Sequence, residues 1–308
     1  MNKHTKTGLA WPAALVTLLF CVFTIGLAQA SEKVSLKSGN ITLNANLELA
    51  EGKKISDGVV LITHGTLAHN GMEIIKTLQS LLSERGHNSL AINLSLGIDN
   101  RGSTMYDCKV PHKHLYLDAV DEIGSWVGWL KSKGATKITV LGHSRGGAQT
   151  ATYAAQNPDS AVGHVVLIAP ATWSQKHSEE SYEKSYRTKL PALLASMEKL
   201  VKDGKGDTMV DKTGILYCPD TKVSASAFVS YYKPDMRRHS PFLMKDIKLP
   251  TLVFAGANDK VVVDLPKYVK PLVDGKKLQL QVIEDADHYF RDFAAEEIAD
   301  AVDEFIKN

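Results

Sequence analysis

An excess of charge of either sign is nearly absent from this sequence, which sets 36 Lys and Arg against 34 Asp and Glu with no long block of either. That balance gives no electrostatic reason to expect nucleic acid or an acidic polymer as a partner. Proline is sparse, 11 in 308 residues, and no internal repeat or low-complexity stretch interrupts the chain. With 44% hydrophobic residues and 22 Gly, the composition excludes disorder and collagen and suits one or at most two globular domains. Cysteine is scarcer still, at 3.

Residues 1–30 differ from the rest. Lys3 and Lys6 precede an apolar run from Leu9 to Leu27, which ends in Ala28-Gln29-Ala30 before Ser31. This is the layout of a secretory signal peptide cleaved after Ala30. The run is long enough to make an uncleaved membrane anchor the rival reading, and the small-residue site favours cleavage. Cys21 does not turn the leader into a lipoprotein signal, because Phe20 before it is too bulky for that processing. Loss of residues 1–30 removes two Lys and no acid, leaving a neutral exported chain, periplasmic or secreted. Cys108 and Cys218 then remain as one pair for a disulfide in an oxidising compartment, with two free thiols as the alternative.

From residue 31 to residue 308 the apolar pattern describes one domain. Alternating stretches Val34–Lys37 and Ile41–Leu49, broken at Ser38-Gly39-Asn40, predict an antiparallel hairpin with one wet face. Short, nearly continuous apolar runs follow at Val59–Thr63, Ser89–Leu94, Ile138–Leu141, Val165–Ala169 and Thr251–Ala255, with a further strand at Leu278–Ile283. Such runs suit parallel strands buried on both faces. Between them, Ile74, Ile75, Leu78, Leu81 and Leu82 recur at helical spacing before Gly86, and Ala119, Ile123, Trp126, Val127 and Leu130 do so before Gly134. Strands alternating with helices predict an α/β fold with a mainly parallel sheet and right-handed crossovers.

The rhythm breaks at about residues 172–248, too long for a plain loop. Tyr182, Tyr186, Leu190, Leu193, Leu194, Met197 and Val201 recur there at helical spacing, so amphipathic helices are expected, with Pro191 kinking one or starting another. A helical cap or lid on the sheet's carboxyl edge is the functional reading. A packing element elsewhere on the surface is the bland one.

The chemistry is concentrated at Gly142-His143-Ser144-Arg145-Gly146, directly after a buried strand and directly before a helical run. A serine on so tight a strand-to-helix turn leaves no room for side chains two residues either side, hence the glycines, and this is the G-x-S-x-G nucleophile elbow in its confirming context. The turn sets Ser144 above the sheet with the Arg145 N–H aimed at a developing oxyanion. A serine hydroxyl needs a base. His288, just past the strand Leu278–Ile283, is expected to supply it, oriented by Asp259 just past the strand Thr251–Ala255. Asp285 and Asp287 share the histidine's loop and are expected to cap it or face solvent. Thr66, after His64-Gly65, is the candidate second oxyanion donor, with Leu67 the less favoured choice.

Other histidines and arginines are weighed against plainer roles. His143 is expected to pack within the elbow and His64 to hold its turn. His112 and His114 resemble half a metal site, but no third ligand stands in the pattern and an exposed loop pair is expected. Arg237 and Arg238 are read as solvated surface, with a substrate carboxylate or phosphate as the rival use. The Arg145 side chain either lines the pocket or pairs with an acid beneath it. Phe228, Tyr231 and Tyr232 either contact an apolar part of the substrate or form the cap's own core.

Together the hairpin start, His64-Gly65, Gly142-His143-Ser144-Arg145-Gly146-Gly147, Asp259 and His288 resemble the α/β-hydrolase superfamily. The resemblance covers nearly all of the chain after the leader. It implies an eight-stranded, mostly parallel sheet with helices on both faces, an acyl-serine intermediate, and no metal or organic cofactor. The expected activity is hydrolysis of a small carboxylic ester with an apolar part. A peptidase, amidase or thioesterase with the same triad is the alternative, and a non-catalytic protein that kept the fold is a further one.

Overall fold

The computed structural model describes residues 31–156 and 158–307, together with Met1, Asn2, His4 and Gly8. The leader's apolar run, Cys21 and the cleavage position at Ala30 lie outside the described residues.

In chain order the strands are β1 (Glu32–Ser38), β2 (Ile41–Glu48), β3 (Val59–Thr63), β4 (Asn88–Asn93), β5 (Ile138–His143), β6 (Val162–Ile168), β7 (Met209–Ile215), β8 (Cys218–Ser224), β9 (Thr251–Gly256) and β10 (Leu278–Ile283). Eight of them form one sheet in the order β1-β2-β4-β3-β5-β6-β9-β10. β2 runs antiparallel to both its neighbours, and every other pairing is parallel. The central strands β3, β4, β5 and β9 are buried at every position, which is why their sequences read as continuous apolar runs instead of alternating.

The helices are α1 (Glu73–Glu84), α2 (Asp118–Ser132), α3 (Arg145–Ala155), α4 (Gln175–Tyr186), α5 (Leu190–Lys202), α6 (Ala225–Tyr232), α7 (Ser240–Met244), α8 (Leu265–Val269) and α9 (Phe293–Lys307). Period-two alternation sends Leu61, Leu90, Val140, Leu167 and Val253 to one face of the sheet, where α2, α3, α7 and α8 cover them. Val60, Ala91, Leu141, Val166 and Phe254 go to the other, under α1 and α9. Each fully buried aliphatic side chain in these layers contributes about 1.5–3 kcal/mol of transfer free energy.

The segment between β6 and β9 builds a third apolar cluster, in which Tyr182, Leu190, Met197, Phe228 and Tyr231 pack with Leu67, Tyr106 and Tyr116 from the loops above the sheet. Pro191 sits in the first turn of α5, so it starts a second helix. The segment is not wholly helical, because β7 and β8 pair as a separate antiparallel hairpin. Nor does all of it stand apart: Leu243 and Met244 of α7 belong to the core beneath the sheet.

A Cys108–Cys218 disulfide joins the loop after β4 to the start of β8. Around it, the His112 N–H donates to Lys222 O at 2.8 Å, Ser224 N–H to His112 O at 2.9 Å, and Thr221 Oγ1 to Cys108 O at 2.6 Å. The bond closes a loop of sequence separation 110. Constraint of the unfolded chain on that scale stabilises by about 3–5 kcal/mol. The double variant Cys108→Ser/Cys218→Ser is therefore expected to unfold at markedly lower urea concentration, and an unchanged midpoint would contradict this.

Candidate active site

β5 delivers the nucleophile candidate. Ser144 follows its last residue with φ 57° and ψ −123°, a left-handed conformation that costs a non-glycine residue about 1–3 kcal/mol. The turn is held by Ser144 N–H donating to Ile168 O at 2.9 Å and by Ala171 N–H donating to Ser144 O at 3.0 Å. Its glycines are sterically required. A Cβ at Gly146 would stand 2.2 Å from His64 O, and one at Gly142 would stand 2.5 Å from Gly146 O.

β9 and β10 deliver the other two groups. Asp259 lies just past β9, where Oδ1 accepts the N–H groups of Val261 at 2.6 Å and Val262 at 2.9 Å. Its Oδ2 lies 2.8 Å from His288 Nδ1, and His288 Nε2 lies 2.9 Å from Ser144 Oγ. All three residues are buried. Burial by itself raises the Asp259 carboxyl, but hydrogen bonds from His288 and from the Val262 and Val261 N–H groups outweigh it and hold it below the ordinary carboxylate range. Asp285 and Asp287 are exposed, and Asp287 accepts the Tyr289 N–H and meets Arg291.

The neighbouring histidines hold backbone in place. His143 Nε2 donates to His288 O at 2.8 Å, which ties the elbow to the loop of the candidate base. Burial pushes His143 down to about 4, so it is neutral with one ring proton to give. Leu94 N–H donates to His64 Nε2 at 3.1 Å, which leaves the proton on Nδ1, 2.9 Å from Gly65 O. Burial pushes His64 down to about 3.

The loop after β3 abuts the elbow: a Cβ on Gly65 would stand 3.2 Å from Ser144 Cβ. Thr66 lies beside it, its Oγ1 accepting from Arg145 Nε at 2.8 Å. Arg145 opens α3, so its N–H has no partner within the helix. Leu67 sends its side chain into the third apolar cluster. Ser144, His288 and Asp259 thus lie in one contact chain, with Thr66 and Arg145 beside Ser144 on the same cavity wall.

A sequence model of the family described as serine aminopeptidase, S33, matches residues 54–290, a span that holds all of them. The chain belongs to this family of α/β-hydrolases. Among solved structures, the hydrolase resembles Est1E from Butyrivibrio proteoclasticus at 18% identity and TM-score 0.63, over 89% of this chain and 97% of that one. It resembles the Pyrococcus furiosus esterase Pf2001 at 18% identity and TM-score 0.58, over 90% and 92% of the two chains. At such identities the likeness shows the fold alone. A curated relative from Oryza sativa subsp. japonica, named probable 1-acylglycerol-3-phosphate O-acyltransferase, is 37% identical over 75 residues. That match spans 24% of the hydrolase and 17% of the relative.

Two cavities of the hydrolase meet at Ser144. The larger, about 280 Å³, is lined by Tyr116, Arg145, Trp173, Tyr231, Arg238 and Asp264 among others. The smaller, about 120 Å³, has apolar walls from Met72, Ile74, Ile75 and Met105 and also touches His288. Thr66, Ser144, Tyr217 and Val261 line both. Nothing in the sequence marks Tyr116, Trp173 or Tyr217 as wall residues, although Tyr217 adjoins Cys218 of the disulfide.

Several polar residues depart from the expectations above. His112 and His114 are buried, not an exposed loop pair: His112 Nδ1 lies 3.3 Å from His114 Nε2, and His114 Nδ1 lies 2.8 Å from the Tyr231 hydroxyl. No cluster with metal-ligand geometry occurs among the described residues. Arg238 is buried and donates to the carbonyls of Tyr231 and Lys233, whereas Arg237 pairs with Asp235 nearer the surface. Phe228 is part of the third apolar cluster, while Tyr231 and Tyr232 belong to that cluster and to the cavity wall at once.

Proposed function

We propose that this hydrolase cleaves carboxylic esters through an acyl-serine intermediate. Ser144 Oγ attacks the ester carbon as His288 Nε2 takes its proton, and Asp259 holds the imidazole with Nδ1 protonated. The N–H groups of Thr66 and Arg145 receive the oxyanion. Collapse expels the alcohol, which takes the proton from His288. Water then attacks the acyl-serine by the same path, giving the acid and restoring Ser144.

One observation supports this above the rest: Ser144 Oγ, His288 and Asp259 form an unbroken contact chain of 2.9 and 2.8 Å at the junction of two cavities. An ester has two parts to house. The leaving alcohol must lie on the side of His288 to receive its proton, which assigns the alcohol to the smaller apolar cavity and the acyl group to the larger one. The substrate is a small molecule, with no part for nucleic acid. Export through the leader at residues 1–30 belongs to the same proposal, and an oxidising compartment suits the Cys108–Cys218 bond.

Initial rates on p-nitrophenyl esters of increasing acyl length test the reading, with optimum activity expected at short chains. The family description, serine aminopeptidase, favours amide cleavage as a second reading. Hydrolysis of p-nitroanilides at rates matching the esters would decide for it.

A further inference from the structure

The acyl cavity carries an unbalanced charge. Of its lining residues, Asp264 is engaged by the Thr172 hydroxyl at 2.6 Å. Arg238 has both terminal nitrogens committed to backbone carbonyls, with its guanidinium carbon 4.9 Å from the centre of the Trp173 ring. Arg145 is different. Its Nε donates to Thr66 Oγ1, and among the described residues no carboxylate pairs with it and no acceptor takes its two terminal nitrogens.

Its position is built. The guanidinium carbon lies 5.5 Å from the Tyr231 ring centre and 6.0 Å from that of Tyr116, and the two rings meet edge to face. The Tyr231 hydroxyl is held by His114. Tyr116 is fixed through its backbone, whose N–H donates to Ser230 Oγ at 3.1 Å and whose carbonyl accepts from Gln149 Nε2 at 2.9 Å. Aromatic faces steady a cation but leave its N–H edge unsatisfied. A fixed, half-buried guanidinium with free terminal nitrogens, one residue from the nucleophile, is complementary to an oxyanion.

Building on the ester reading, we propose that the acyl group carries a second carboxylate, bound by the terminal nitrogens of Arg145, so that the substrates are monoesters of short dicarboxylic acids. One uncommitted cation, with Asp264 on the same cavity's wall, suits a single negative charge and disfavours a phosphate dianion. A cavity of about 280 Å³ sits at the low end for small-molecule sites, which keeps the acyl chain short.

The test compares mono-p-nitrophenyl glutarate with its neutral methyl ester. The wild-type protein is expected to favour the charged ester in kcat/KM by about tenfold or more, a preference that shrinks as salt is added. Arg145→Met is expected to abolish the preference and Arg145→Lys to keep part of it. Because the ratio is read within each variant, a general loss of activity cancels. A turnover-free arm measures glutarate binding to Ser144→Ala by calorimetry, with a tenfold or greater loss expected in Ser144→Ala/Arg145→Met. Equal or faster cleavage of the neutral ester by wild type overturns the proposal and leaves ester hydrolysis standing. Arg145-dependent glutarate binding without cleavage of any ester overturns the ester reading and upholds the anion site. Tighter binding of inorganic phosphate than of glutarate also overturns the proposal.

Discussion

Ser144→Ala is expected to lower kcat on p-nitrophenyl esters by about a millionfold, and His288→Ala by a similar factor, with the double variant little worse than either. In the proposed mechanism the two act as one unit, since Ser144 Oγ lies 2.9 Å from His288 Nε2 and the attack needs both the hydroxyl and the base. Asp259→Asn is expected to cost about ten-thousandfold. Its amide oxygen would still accept from Val261 and Val262, but its NH2 would then face His288 Nδ1 and force the imidazole proton onto Nε2, where Ser144 needs an acceptor. Steady-state rates on one ester, with circular dichroism confirming the fold, measure all four. Additive losses in the double variant would contradict the coupled mechanism.

Stability is expected to fall steeply between pH 6.5 and 5. Burial pushes His64 and His114 down to about 3, and His112 and His143 down to about 4, from an ordinary 6.5. In that window the unfolded chain binds protons that the folded chain refuses, so the stabilisation is complete above pH 6.5 and is lost as pH drops toward the folded values. By pH 5 each ring has given up about 2 kcal/mol, and the group together approaches the whole stability of an ordinary domain. Glu122 works the other way. Burial pushes it up to about 7 against the lowering effect of the Ser95 N–H and hydroxyl, so protonation as pH falls from 7 favours the folded state. Urea midpoints measured from pH 7.5 to 5 should therefore fall with a net uptake of about three protons, and His112→Leu should remove one of them. A level midpoint down to pH 5 would show that these rings are not held neutral.

Legibility from sequence followed how local each constraint is. The elbow was readable because the steric demand of Ser144 falls on residues two positions away, Gly142 and Gly146. The strands β3, β4, β5 and β9 were readable because burial on both faces leaves no polar alternation. The hairpin of β7 and β8 was not. Lys212 and Asp220 adopt positive φ and the register slips twice, so no clean period of two survives in the sequence. His112 and His114 read as exposed because what buries His114 is Tyr231, 117 residues further on. Arg238 reads as solvated surface for a different reason, since its partners Tyr231 and Lys233 are near in sequence. These partners are backbone carbonyls, which leave no trace in residue type.

The disulfide also divides the site in a way the distances do not reveal. Ser144 lies inside the covalent ring closed by Cys108 and Cys218, whereas Asp259 and His288 hang outside it on the tail that follows. The turn between α4 and α5, with Arg187, Thr188 and Lys189 at the surface, also lies within the ring. A protease that cuts there opens the ring into two arms without releasing either. The nicked protein gains only one water in mass under oxidising conditions, and Ser144 and His288 remain on one covalent body until a reductant separates them.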